Sequence, residues 1–132
     1  MSKNEDAFKW QEKLKQDYPK LLKRIAYFEH NSGWEKLLRN LFDGIVGYEK
    51  IAKSDYIPVY FVQIKEKFGT LRAYFEGGDD EVVKMVDEAE RISGETCEVC
   101  GKLETSKIRS HKGWFYTSCD EHAKGNANDN DK

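Results

Sequence analysis

Residues 57–78 read IPVYFVQIKEKFGTLRAYFEGG: two runs of β-branched and aromatic residues on either side of a connection that contains Gly69. That composition is suited to a pleated, half-buried surface, and the short glycine-bearing link predicts an antiparallel β-hairpin. Successive strand side chains point to opposite faces. Strict alternation therefore puts Tyr60, Val62 and Ile64 on one side of the first strand and Leu71, Ala73 and Phe75 on one side of the second. Phe61, Gln63, Arg72 and Tyr74 fall on the other face, which either receives helices or presents a mixed aromatic and polar recognition surface.

Working outward, both flanks read as helical. Upstream, Trp34, Leu37, Leu38, Leu41, Phe42 and Ile45 recur at three- and four-residue spacing, which gives a helix one apolar face. Its start signal is SGWE, in which Ser32 is placed to cap the first turn and Glu35 to reciprocate. Residues 5–16 predict a short amphipathic helix around Phe8, Trp10 and Leu14, and PKLLKRIAYFEH (19–30) predicts a second one with Pro19 in its first turn. Downstream, Val82, Val86, Ala89 and Ile92 predict a helix over 79–93, with Asp79 as its cap and Gly94 as its end. Helices packed on a small antiparallel hairpin make an α+β core over 5–94, followed by a module over 95–124 and a polar flexible tail over 125–132.

Net charge narrows the partners. With 22 Lys+Arg against 24 Asp+Glu, the formal charge is −2, so no global positive field holds the chain on nucleic acid or an acidic membrane. No run approaches the roughly 20 apolar residues that a membrane span needs, and the N-terminal stretch MSKNEDAFKW lacks the apolar segment of a secretion signal. A cytoplasmic protein is the expectation.

The sharpest chemical signal is Cys97-Glu98-Val99-Cys100-Gly101 followed by Cys119-Asp120-Glu121-His122. Three cysteines leave a disulfide reading one partner short. Three sulfurs and an imidazole in two close pairs instead suit a tetrahedral Zn2+ site with Cys97, Cys100, Cys119 and His122 as ligands. His111 competes with His122 for the fourth position. Between the pairs, alternating residues about Lys112-Gly113 predict a small hairpin, so the module is treble-clef-like or, if its last segment is not helical, a zinc ribbon.

Catalytic signatures are missing from this sequence. It has no HExxH helix, no phosphate loop ending in Lys-Ser/Thr, and no His-x-Glu element ahead of the cysteine pair. Glu98 and Glu121 read as solvated surface carboxylates. With four ligands committed to the metal, no coordination position is left for substrate, and a non-enzymatic protein is expected. Its candidate interaction surface comprises Phe61, Gln63, Lys65, Lys67, Arg72, Tyr74, Arg109 and Trp114, although Trp114 is also placed to cover the small metal core.

The phrases IKEKFGTLRAYFE, SGWEKLLRNLF, AERISGETCEVCG and GWFYTSCDEH together resemble a family of small uncharacterised phage and prophage proteins, over most of residues 29–122. The resemblance marks Cys97, Cys100 and Cys119 as metal ligands and Trp34, Phe68, Gly69, Leu71 and Arg72 as parts of a shared framework. Members commonly end in a CxxC-like pair where this chain has Cys119 and His122. An accessory role in an infected or prophage-bearing bacterial host is implied, through binding a host protein and, more specifically, interfering with host defence. The alternative is a nucleic-acid-binding regulator that uses a local basic and aromatic surface. Sequence alone leaves the oligomeric state open.

Overall fold

A computed structural model describes residues 3–125, with side chains from Phe8 onward; the tail expected over 125–132 lies outside the described residues except for Gly125. The fold is α+β, with two separate two-stranded antiparallel sheets. Helix α1 spans Lys3–Asp17, α2 Glu35–Glu49 and α3 Asp80–Ser93. Strands β1 (Tyr60–Lys67) and β2 (Thr70–Glu76) form the first hairpin, and β3 (Lys107–His111) and β4 (Trp114–Ser118) the second.

One apolar cluster organises the N-terminal three quarters of the chain. Leu14 of α1, Trp34, Leu38, Phe42 and Ile45 of the α2 segment, Ile64 and Leu71 of the hairpin, and Val82 and Val86 of α3 are all buried in it. Asp79 caps α3 as expected, accepting hydrogen bonds from the backbone N–H of Glu81 (3.0 Å) and Val82 (3.3 Å), and Gly94 ends the helix. Gly44 faces the Met85 thioether of α3, at a distance that a methyl group would fill without strain.

The helix expected over 19–30 does not form. Its apolar residues Leu21, Leu22, Ile25 and Phe28 are buried, but the segment runs as turns because its backbone is used elsewhere. Leu21 O accepts from Phe61 N–H (2.8 Å). Glu29 N–H donates to Ile64 O (2.9 Å), and Glu66 N–H donates back to Glu29 O (3.0 Å). These bonds cover the outer edge of β1, a row of groups that would otherwise be left open for pairing. The outer edge of β2 is covered by α3: Leu71 N–H donates to Ser93 Oγ (2.8 Å) and Ala73 N–H to Glu90 Oε2 (3.0 Å).

Strict alternation along β1 also fails, at a β-bulge. Phe61 pairs with Phe75 and Gln63 with Tyr74, which leaves Val62 as the extra residue. The bulge turns Phe61 inward with Ile64, Leu71 and Ala73, where it is fully buried against Phe42 and Phe75. Val62 turns out to solvent. Phe61 is therefore a core residue and not part of an interaction surface.

The start of α2 differs from its sequence reading in a similar way. Ser32 begins a short 3-10 turn, Ser32–Trp34, and neither that turn nor α2 has a side-chain cap. The importance of SGWE lies in Gly33. Its N–H donates to Glu98 O (2.7 Å), and a Cβ there would overlap the Cys97 and Glu98 carbonyls, so only glycine permits this approach. Trp34 Nε1 donates to Thr96 O (2.9 Å) beside it.

Candidate metal centre

Three segments bring the cysteine and histidine donors together. The first is the Cys97–Gly101 knuckle, closed by a hydrogen bond from Gly101 N–H to Cys97 O (2.8 Å), with Gly101 at φ +83°. The second is the β3–β4 hairpin, whose Lys112-Gly113 turn has φ of 53° and 85°, the two positive values of a type I′ loop. The third is the 3-10 turn Asp120–His122, which follows Cys119 directly. Glu98 N–H donates to Thr117 O (3.0 Å), which ties the knuckle to β4.

The outcome is a cluster of Cys97, Cys100, Cys119 and His122 whose donor atoms all lie within 4.8 Å of one another. Cys100 Sγ is 3.8 Å from Cys119 Sγ, while His122 Nδ1 is 3.3 Å from Cys119 Sγ and 3.7 Å from Cys97 Sγ. A tetrahedral ion with bonds slightly over 2 Å separates its ligands by about 3.5–3.8 Å, so these residues can hold a metal ion. His111 is not in the cluster; it sits on β3 opposite Trp114.

Crowding of the thiols is visible in their acidity. Burial pushes the Cys97 thiol up, but the backbone N–H groups of Cys119, Cys100 and Val99 outweigh it and bring the group down to about 6. At Cys100 the Lys102 backbone N–H favours the thiolate, yet burial and the neighbouring Cys97 and Cys119 sulfurs push the thiol up. Several sulfurs competing to carry charge in so small a space form a site that a cation relieves.

Arg109 is central to the module and does not belong to a free surface. It is buried, donating from Nε to Ser118 O (3.0 Å) and from one terminal nitrogen to Thr105 O (3.1 Å) and Asp120 Oδ1 (2.8 Å). A planar guanidinium meets several acceptors in one orientation, which braces β3 against the turn carrying His122. Glu98 is also buried rather than solvated. Its Oε2 accepts from Asn31 N–H (2.9 Å), and burial pushes its carboxyl upward. Glu121 matches its surface reading, pairing in the open with Lys102 (3.1 Å).

Trp114 does not cover the metal core. Its side chain is 77% exposed, and Phe115 (52%) and Ile108 on the same hairpin are also exposed. Of the remaining surface candidates, Lys67 and Tyr74 are exposed, whereas Gln63, Lys65 and Arg72 are half-buried, with the Nε of Arg72 buried.

A groove of about 580 Å³ between α2 and α3 had no signal in the sequence, because its walls come from residues far apart in the chain. Leu37, Leu41, Met85 and Ile92 line it, with Lys36 and Glu88 at the rim. No helix among the described residues is long and apolar enough to cross a membrane. No family model, no curated protein and no solved structure matches the chain.

Proposed function

We propose that this chain is a non-enzymatic recognition protein whose treble-clef-like C-terminal module binds one structural Zn2+ and presents an apolar hairpin to a partner protein. Three thiolates and one imidazole are the donor set that zinc favours over hard cations, which prefer oxygen. The order knuckle, hairpin, helical turn supports the treble-clef reading, and a full set of four protein ligands supports a structural role over a catalytic one.

The observation that carries the reading is the exposure of Trp114 and Phe115, one on each face of a hairpin that Arg109 braces and that joins the two donor pairs. Large exposed aromatics on a rigid support are the residue types that dominate protein interfaces, because they bury much area at low entropic cost. On the resemblance to phage proteins, we propose that the partner belongs to a bacterial host and that the specific role is interference with host defence.

Metal analysis of the purified chain is expected to give one zinc per protein, lost when Cys97 and Cys100 are both replaced by serine. Capture from host lysate is expected to retain a partner that survives high salt and disappears with Trp114→Ala/Phe115→Ser, while the melting temperature stays within about 2 °C. Retention of the same partner by that double variant would count against the hairpin as the binding element.

A further inference from the structure

The outer face of β1–β2 carries a charge arrangement that the fold itself does not need. Ile64 opposite Ala73 points to the core, so the next pairs, Lys65 opposite Arg72, Gln63 opposite Tyr74 and Lys67 opposite Thr70, point away from it. Like charges directly opposed on a sheet reduce stability. Here nothing offsets them: no carboxylate lies within ion-pair distance of Lys65, Lys67 or Arg72 among the described residues, and Arg72 Nε has no hydrogen-bond partner. The one ring contact in this group places Lys67 Nζ 5.5 Å from the centre of Phe68.

The same face continues across Tyr60, over whose ring lie Lys23 (4.9 Å) and Arg24 (5.3 Å). Its acids are Glu76, opposite Tyr60, and Glu29, which is held by Gln63 Nε2 (3.0 Å). Lys23, Arg24, Lys65, Lys67 and Arg72 against Glu29 and Glu76 leave this surface at +3, on a chain whose total is −2. Tyr74 is 45% exposed beside Arg72 on the same strand, and Phe68 stands out at the hairpin tip. Both sheet edges are already covered, so a partner strand has no edge to join, and the face is the surface left for binding.

From this juxtaposition of unpaired cations and outward aromatic rings we infer that the outer face of β1–β2 binds single-stranded nucleic acid. Lys65, Lys67 and Arg72 meet the phosphates, and Tyr74 stacks on a base. Cations in a track serve the backbone, and an exposed ring accepts any base, so the expected binding has little sequence preference. This site is independent of the apolar hairpin of the second module.

The test uses the full, metal-loaded chain and fluorescently labelled 12-nucleotide single strands of mixed sequence, as DNA and as RNA, followed by anisotropy at 50 and 200 mM salt. Binding is expected, weakening steeply with salt. Lys65→Ala/Arg72→Ala should reduce affinity at least ten-fold and lower the salt slope by about 1.4, since each lost phosphate contact on a single strand removes about 0.7. Tyr74→Ala should cost about ten-fold, and Trp114→Ala should leave binding unchanged. The charge variant should melt no lower than the parent, because it removes a repulsion, and this separates lost binding from lost folding. Three outcomes would each overturn the inference: no binding at 50 mM salt, loss of binding with Trp114→Ala but not with the sheet-face variants, or polyglutamate bound as tightly as the oligonucleotide with Tyr74→Ala neutral. The last would assign the face to an acidic protein segment.

Discussion

The hairpin β1–β2 buries Phe61, Ile64, Leu71 and Ala73 against the helices, whereas the hairpin β3–β4 buries Tyr116, Thr117, Ser118 and Arg109. Both close on the same device, two residues with positive φ ending in glycine: Phe68-Gly69 at 54° and 89°, Lys112-Gly113 at 53° and 85°. Identical turns thus serve two kinds of cohesion. The first hairpin belongs to an apolar cluster that reaches from Leu14 to Ala89 and includes no buried residue of the second. The second is held by hydrogen bonds, by Arg109 and by four donors placed for a metal ion. They meet at the Gly69 turn, which lies against the backbone of Tyr116 and whose carbonyl accepts from Thr117 Oγ1 (2.6 Å). A segment with so little apolar burial of its own needs another source of stability, as small metal-dependent folds do.

Emptying the proposed metal site probes this contrast most strongly. Chelation, or Cys119→Ala, is expected to lower amide-exchange protection over 107–118 by roughly 1000-fold, equivalent to about 4 kcal/mol, while protection in α2 and α3 holds. Equal loss in both regions would show that they unfold as one unit. The converse substitution, Phe42→Ala, empties a fully buried site of the cluster and is expected to cost about 4 kcal/mol in urea unfolding. Metal affinity measured under native conditions should be unchanged.

Gly33→Ala acts on the join. Its methyl group would push against the knuckle backbone, with an expected cost of about 3 kcal/mol and weakened metal binding together, because Gly33 touches Cys97 and Glu98 directly. Acid should weaken the first region through His30. This ring packs among Trp10, Phe28 and Trp34, with Nδ1 2.7 Å from Asn31 O, and burial pulls its pKa down from 6.5 to about 4. A base whose pKa falls on folding is favoured neutral. Its stabilising contribution is full above pH 6.5 and is lost as pH falls toward 4, by up to about 3 kcal/mol. His30→Phe should flatten that part of the stability profile, with the difference between parent and variant read by urea titration at each pH. The smallest effect is expected for Trp114→Ala, within about 0.5 kcal/mol, since an exposed side chain contributes little to the folded state.

Features set by neighbours in the chain were legible from the residues. Asp79 capping α3 follows from a local side-chain hydrogen bond, the two glycine turns from a dihedral preference, and the buried stripe Leu37, Leu38, Leu41, Phe42 and Ile45 from three- and four-residue spacing. The donor pairs around Cys97 and Cys119 were legible for the same reason. Residues 19–30 carry helix-like spacing but make turns, because their backbone groups found partners on β1, and no local pattern records that competition.

The order of letters along this chain, by itself, determined which segments can be helix, strand or tight turn and that three cysteines with His122 or His111 have the chemistry of a metal site, since those properties depend on a few adjacent residues; the fold brought His122, not His111, to the cysteines. Tertiary structure decided the rest. It turned Phe61 inward through a one-residue bulge, buried Arg109 and Glu98, left Trp114 in solvent, and gave Gly33 its task of admitting the knuckle. Each of these outcomes depends on groups distant in the chain competing for the same space or the same hydrogen bond, and such a competition is resolved only when the whole chain is packed.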